Sequence, residues 1–395
     1  MRNRLITSST PFLFLSLLVL FSACACNGFF EDVADKVEDI VTRRTPRETF
    51  ARDYLRDLPT GDSLTAAWDT AFVAALRDTL LIDLPHREVV RRSNDLELTA
   101  LSYRFYLPPG RMLTVQVEGD GGVGPVFGEL FPIKVQEAIE PGDAILRWES
   151  GEPGAVYESE SREGEELMLV VQSTSSDTGA YALILRTDPT LLFPVAGHSS
   201  RNIQSFWGDR RSGGARQHQG NDIFAPRGTP LVAVADGIVR STKIGGLGGK
   251  TVWLRDGEGR GLNYYYAHLD SQLVRPGQIV ARGDTVGLVG NTGNARTTPP
   301  HLHFGIYRNG ARDPFPYLLG PDGEPEALRY SLASGDIPAR VPERGLHYLR
   351  RSPAREQAVV VRQLDNEEPV TILSATDRFY RIRTSEGETG YANFD

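Results

Sequence analysis

The sequence predicts a mainly β, multidomain protein, and three observations carry that prediction. The chain has 395 residues, too many for one ordinary core. It holds 40 glycines and 25 prolines, the punctuation of a turn-rich chain. From about Asp95 onward its apolar residues recur with a period of two, the period of a half-buried strand.

The elements follow in chain order. Arg2 and Arg4 precede an apolar run from Pro11 to Phe21, closed by Ser22, Ala23 and Cys24. A basic start, a short apolar stretch and small residues describe a secretory signal. The run is shorter than the roughly 20 residues that a membrane-spanning helix needs. "FSAC" resembles the bacterial lipobox. That resemblance implies a signal over residues 1–23, lipidation of Cys24 and a tether over 24–44. It also implies export, with acyl chains holding the protein in the cell envelope, facing the periplasm or in the outer membrane. Cys26 is the other cysteine of the chain. The domains beyond it therefore carry no disulfide, and a transition-metal site there must use histidine and carboxylate ligands.

A helical segment is expected over 45–92. Thr45, Pro46 and Glu48 have the spacing of a capping box with proline at the first helical position. A second helix is expected from about Ser63, with Leu64, Trp68, Phe72 and Leu76 forming one apolar stripe. "LPHREVV" ends this region, and His86 within it reads as a packing or surface residue. Over 95–189, alternation at Leu101, Tyr103, Phe105 and Leu107 and again at Leu113, Val115 and Val117 predicts a β-sandwich. It is similar to the pre-peptidase sandwiches of secreted bacterial proteases. Residues 340–395 end in "FYRIRTSEGETGYANF" and resemble a bacterial SH3-like domain, a small β-barrel. The formal net charge of −8 argues against a nucleic-acid partner. The sequence assigns no oligomeric state.

Chemistry concentrates between these β units. His301 and His303 sit two apart in "HLHFG", so on a strand both imidazoles project from one face. His218 and Asp222 are four apart, with Gly220 between them to let the backbone bend. His268 ends the β-patterned run "NYYYAH", where Tyr266 shares its face by alternation and fits either a cleft wall or the core. Asp236 and Asp284 read as turn residues, and His198 and His347 as non-ligands. Arg216 reads as a solvated surface residue.

Residues 193–320 resemble the lysostaphin-type zinc metalloendopeptidases of peptidoglycan. The resemblance rests on H-x-x-x-D at His218–Asp222, Y-x-H at Tyr266–His268 and H-x-H at His301–His303, together with "GTPLVAVADGIV" and "VRPGQIVARGDTVGLVGNTG". It implies an antiparallel β-sheet peptidase with its site in a groove. It implies Zn²⁺ on His218, Asp222 and His303, with His268 and His301 catalytic and off the metal. Two imidazoles and a carboxylate suit a catalytic zinc, which keeps a position for water. The implied partners are stem or cross-link peptides of peptidoglycan, with a membrane reached through the lipid. Two other readings stand beside it: a non-enzymatic scaffold or activator of other wall hydrolases, and a protease acting on proteins.

Overall fold

The structure is a computed structural model. It describes residues 44–55, 61–119, 124–150, 154–159, 161–174, 179–325, 328–330, 332 and 337–395. Cys24, the signal over 1–23 and all of the expected tether but Arg44 lie outside the described residues.

The protein is mainly β, with a few short helices. The capping box forms as the spacing predicts: the Glu48 amide donates to Thr45 Oγ1 at 3.2 Å and the Thr45 amide to Glu48 Oε2 at 2.8 Å. The helix Gly61–Ala75 buries Trp68 and Phe72 almost completely. The helical segment expected over 45–92 stops there. Residues His86–Arg91 are a strand, in which His86, Glu88 and Val90 are buried in alternation. The run is too short to show its period against the helical residues before it.

Two sheets make the sandwich. One has the order Ala100–Leu107, Glu165–Ser173, Val126–Pro132, Leu146–Glu149. The helix lies on its outer side, where Phe72, Ala75 and Leu76 meet Phe131, Met168 and Val170. Glu165–Ser173 is therefore buried on both faces from Leu167 onward, and it reads as a continuous apolar run. The second sheet has nine strands and crosses the expected domain border. His86–Arg91 pairs with Ala180–Pro189 on one side and with Val370–Thr376 on the other. The C-terminal strands expected as a separate small barrel thus continue the sandwich sheet.

Glu88 anchors this join. Fully buried, it accepts from Tyr103 at 3.1 Å and from Tyr391 at 3.0 Å, and it also bonds His86 and Ser374. Arg381, equally buried, reaches Asp78 at 2.7 Å.

Between the sandwich and the C-terminal strands the chain runs out into a second body. Its main sheet has the order Ile279–Val280, Gly237–Ile244, Lys250–Asp256, Asn263–Leu269, His301–Tyr307, Asn221–Phe224, Ile203–Ser205. One face packs Tyr264, Tyr266, Leu302, Phe304 and Ile223 into a core with Leu231, Val234 and Val286. The chain then returns to the sandwich, where Arg111 holds Gly320 O at 2.7 Å and Asp322 at 2.8 Å.

Candidate active site

Register places the site. Asp222 lies opposite His303 and Phe224 opposite His301. Alternation then sends these four side chains to one face while Ile223, Leu302 and Phe304 enter the core. His218 precedes the strand and turns back over it. Gly220 makes that possible, because a Cβ there would sit 2.4 Å from the Phe304 carbonyl and 2.9 Å from the His303 ring.

Three donor atoms converge. His218 Nε2 is 2.9 Å from His303 Nδ1 and 3.0 Å from Asp222 Oδ1, and His303 Nδ1 is 2.9 Å from the same oxygen. Among the described residues this is the one cluster of metal-ligating side chains. Four-coordinate zinc with bonds of about 2.0–2.1 Å sets ligand atoms roughly 3.3 Å apart, so small shifts would seat an ion. His218 Nδ1 lies 2.8 Å from the Phe206 carbonyl, a contact that holds the ring and turns Nε2 toward Asp222 and His303. Burial works to raise the Asp222 carboxyl, but hydrogen bonds from His218 and His303 outweigh it and hold it far below the usual carboxylate range. Asp222 is therefore an anion ready for a cation. Burial lowers the His303 imidazole.

His268 and His301 face each other at 5.1 Å between ring centres, outside the donor triangle. Each is tied through Nδ1 to a carbonyl, His268 to Thr292 at 2.9 Å and His301 to Pro299 at 2.9 Å. The His301 ring also stacks on Phe224. Both expose Nε2 to a cleft of ≈ 620 Å³ that all five sequence-selected residues line.

His268 reaches the cleft by an exception to alternation. Tyr266, expected on its face, is fully buried in the core with its hydroxyl 3.1 Å from the Val232 carbonyl. His268 instead takes φ of 65°, a left-handed conformation rare outside glycine, and this turns its ring to the Ala267 side. Tyr265 takes the cleft position in place of Tyr266. Burial first, then the neighbouring His301 and His303, bring the His268 imidazole down to about 4, so it is neutral at pH 7.

Sequence reasoning missed Arg211. Its Nη2 donates to Asp222 Oδ2 at 2.6 Å and also bonds Ser205, which leaves Oδ1 turned toward the imidazoles. Arg216, considered from sequence, lines the exposed rim of the cleft. His198 and His347 bond backbone carbonyls away from the site. Asp236 and Asp284 accept from turn amides as expected.

The model of Peptidase family M23 matches residues 216–314, which contain every one of these five residues. The chain carries an M23 peptidase domain. The match to the L-Ala–D-Glu endopeptidase of Bacillus subtilis (strain 168) is 36% identical over 142 residues, 32% of this chain and 42% of that one. The match to the peptidoglycan DD-endopeptidase ShyC of Vibrio cholerae serotype O1 is 37% identical over 117 residues, 28% of this chain and 25% of the relative. The chain thus spans less than half the length of either relative. Among solved structures, the catalytic domain of lysostaphin from Staphylococcus simulans matches at 31% identity with a TM-score of 0.27, covering 30% of this chain and 94% of that one. The M23 domain occupies the second body of the fold, and the sandwich and C-terminal strands lie outside the matched residues.

Proposed function

We propose that this protein is a zinc-dependent endopeptidase that hydrolyses peptide bonds in peptidoglycan, working in the cell envelope from a lipid anchor at Cys24. The observation that carries the reading is one donor triangle flanked by two imidazoles, all opening on one cleft. The M23 match and the relatives named for peptidoglycan endopeptidase activity support it.

His218 Nε2, Asp222 Oδ1 and His303 Nδ1 would hold the zinc. When bound, zinc supplies Lewis acidity and lowers the pKa of a coordinated water to about 7. The protein's own residues do the remaining work. His268 and His301 keep their Nδ1 protons on backbone carbonyls and so present Nε2 as proton acceptors. One takes the proton from the attacking water and carries it to the leaving amine. The other faces the position of the developing oxyanion across the same cleft. Arg211 holds the Asp222 carboxylate in its orientation throughout. The N-terminal apolar run and Cys24 support the envelope location.

The test is metal stoichiometry together with release of peptides from purified peptidoglycan. One zinc per chain with chelator-sensitive release is expected. His303→Ala should lose metal and activity together. His301→Ala should keep the metal and lose roughly 10²–10⁴-fold in turnover. Full turnover by His301→Ala would overturn the mechanism, and a protein that holds no zinc would favour a scaffold.

A further inference from the structure

Beyond His303, the open face of the peptidase sheet carries three large aromatic rings. Trp253 stands opposite Tyr265 on the neighbouring strand, and Tyr265 stands opposite Gly305 on the next. Tyr307, two residues on, turns its ring back over Gly305. The centre of the Trp253 ring lies 4.6 Å from that of Tyr265 and 5.0 Å from that of Tyr307, and the two tyrosine rings are 6.3 Å apart. The Tyr265 ring also meets the ring of His303 edge to face at 5.9 Å, so the cluster reaches the donor triangle.

Two glycines seat these rings. A Cβ on Gly305 would lie 2.8 Å from the Tyr307 ring, and a Cβ on Gly248 would lie 2.1 Å from the Tyr265 hydroxyl. Cross-strand aromatic pairs stabilise sheets in general. Here all three rings stay half-buried on the face away from the core, and Tyr265 and Tyr307 line the catalytic cleft itself.

Polar groups border the rings. Among the described residues the Tyr265 hydroxyl has no hydrogen-bond partner. The Tyr307 hydroxyl donates to the Gln219 carbonyl at 3.4 Å and keeps its lone pairs. Asn263, opposite Tyr307, adds an amide on the same face by alternation. Three rings at these spacings make a platform wider than one aliphatic side chain. A pyranose matches it, with one face of C–H groups for the rings and a rim of hydroxyls for the donors and acceptors around them.

We propose that Trp253, Tyr265 and Tyr307 form a sugar subsite of the cleft. It takes a pyranose of the glycan strand that bears the scissile peptide, a source that rests on the reading of the cleft as a peptidoglycan peptidase. With the sugar on the rings, its peptide runs past His303 toward the donor triangle. The rings then set a preference for peptides that still carry their glycan.

The probe is a peptide-free oligomer of N-acetylglucosamine, titrated into the full chain with and without zinc and followed by saturation-transfer NMR and calorimetry. Saturable binding is expected in both states. Trp253→Ala should weaken it about tenfold, the scale of one aromatic contact, and Trp253→Phe should restore most of it. A crystal of the wild type soaked with the oligomer should place a pyranose against Tyr265 and Tyr307, and this arm does not depend on the variants folding. In the wild type, KM should be lower for a cross-linked muropeptide than for the same peptide stripped of its sugars, and in Trp253→Ala the two values should converge. No binding by the wild type, equal binding by Trp253→Ala, or a sugar seated away from these rings would each overturn the subsite. Hydrolysis with a KM blind to the sugar would overturn it while leaving the peptidase reading intact, and sugar bound on the rings without hydrolysis would do the reverse.

Discussion

His303 Nδ1 lies 2.9 Å from Asp222 Oδ1, and the two residues face each other directly across adjacent antiparallel strands. The pair is set by the ladder, with each backbone held by neighbours on both sides. His218 is the ligand that needs additional devices, namely Gly220 and the Phe206 carbonyl.

Arg211→Ala frees Oδ2 of Asp222 while leaving all three donor residues in place. Loss of a partner that orients a ligand typically weakens metal affinity 10–100-fold. Competition with a chromogenic chelator should show a loss in that range with unchanged stoichiometry at saturating zinc. Unaltered affinity would remove Arg211 from the site.

Gly220→Ala tests the close approach. The new Cβ meets the Phe304 carbonyl at 2.4 Å, and backbone cannot move aside cheaply. Overpacking of this kind costs about 1–3 kcal/mol. Denaturant unfolding should register that loss, and zinc affinity should fall with it because the His303 ring is also displaced. A variant with native stability and affinity would show that the loop relaxes freely.

Acid should destabilise the metal-free protein in two steps. His268 titrates at about 4 in the folded chain against 6.5 ordinarily. The unfolded chain takes up that proton first, so stability falls as the pH drops from 6.5 to about 4. Burial alone would raise Glu88, but its bond to His86 and the charges of His86 and Arg381 outweigh it and hold it below 4.5. Its contribution is complete above pH 4.5 and is lost as the pH falls further. Imidazole chemical shifts and melting temperatures across this range check both steps. A His268 midpoint near 6.5 would contradict the first.

Deleting residues 337–395 should damage the sandwich. It removes the strand opposite His86–Arg91 and strips Tyr391 and Ser374 from Glu88. Breaking a buried charged network costs about 3–5 kcal/mol. The bare edge strand also invites aggregation. Denaturant melts of full and shortened chains should therefore differ in the sandwich transition. Coincident transitions would show that the two regions fold independently.

The site was largely legible because its logic is local. His301 and His303 share a face by strand period, and His218 and Asp222 are joined by three residues, one of them a glycine. The sequence misled at Tyr266, where strict alternation assigns it to the face of His268. Only the left-handed turn of the His268 backbone separates them, and no residue type signals it. Arg211 was hidden for a similar reason. It comes to Asp222 through the hairpin of Arg210–Arg211 on Arg216–Gln217, and a charged turn residue looks like any other. The joined sheet was illegible because Val89 meets Ala375, far away along the sequence, a pairing that neither segment's pattern encodes.

That join also decides how the molecule bears a mechanical load. A pull between Arg44 and Asp395 meets the Val89–Ala375 and Val90–Ser374 pairs, the Asp78–Arg381 ion pair and the Leu81–Arg351 bond before it meets the catalytic body. The catalytic body, strung between Pro189 and Asp322, hangs outside this path, with its two ends clamped by Thr187 donating to Asp322 at 2.9 Å. These links must yield before tension between those residues reaches the strands that carry the cleft.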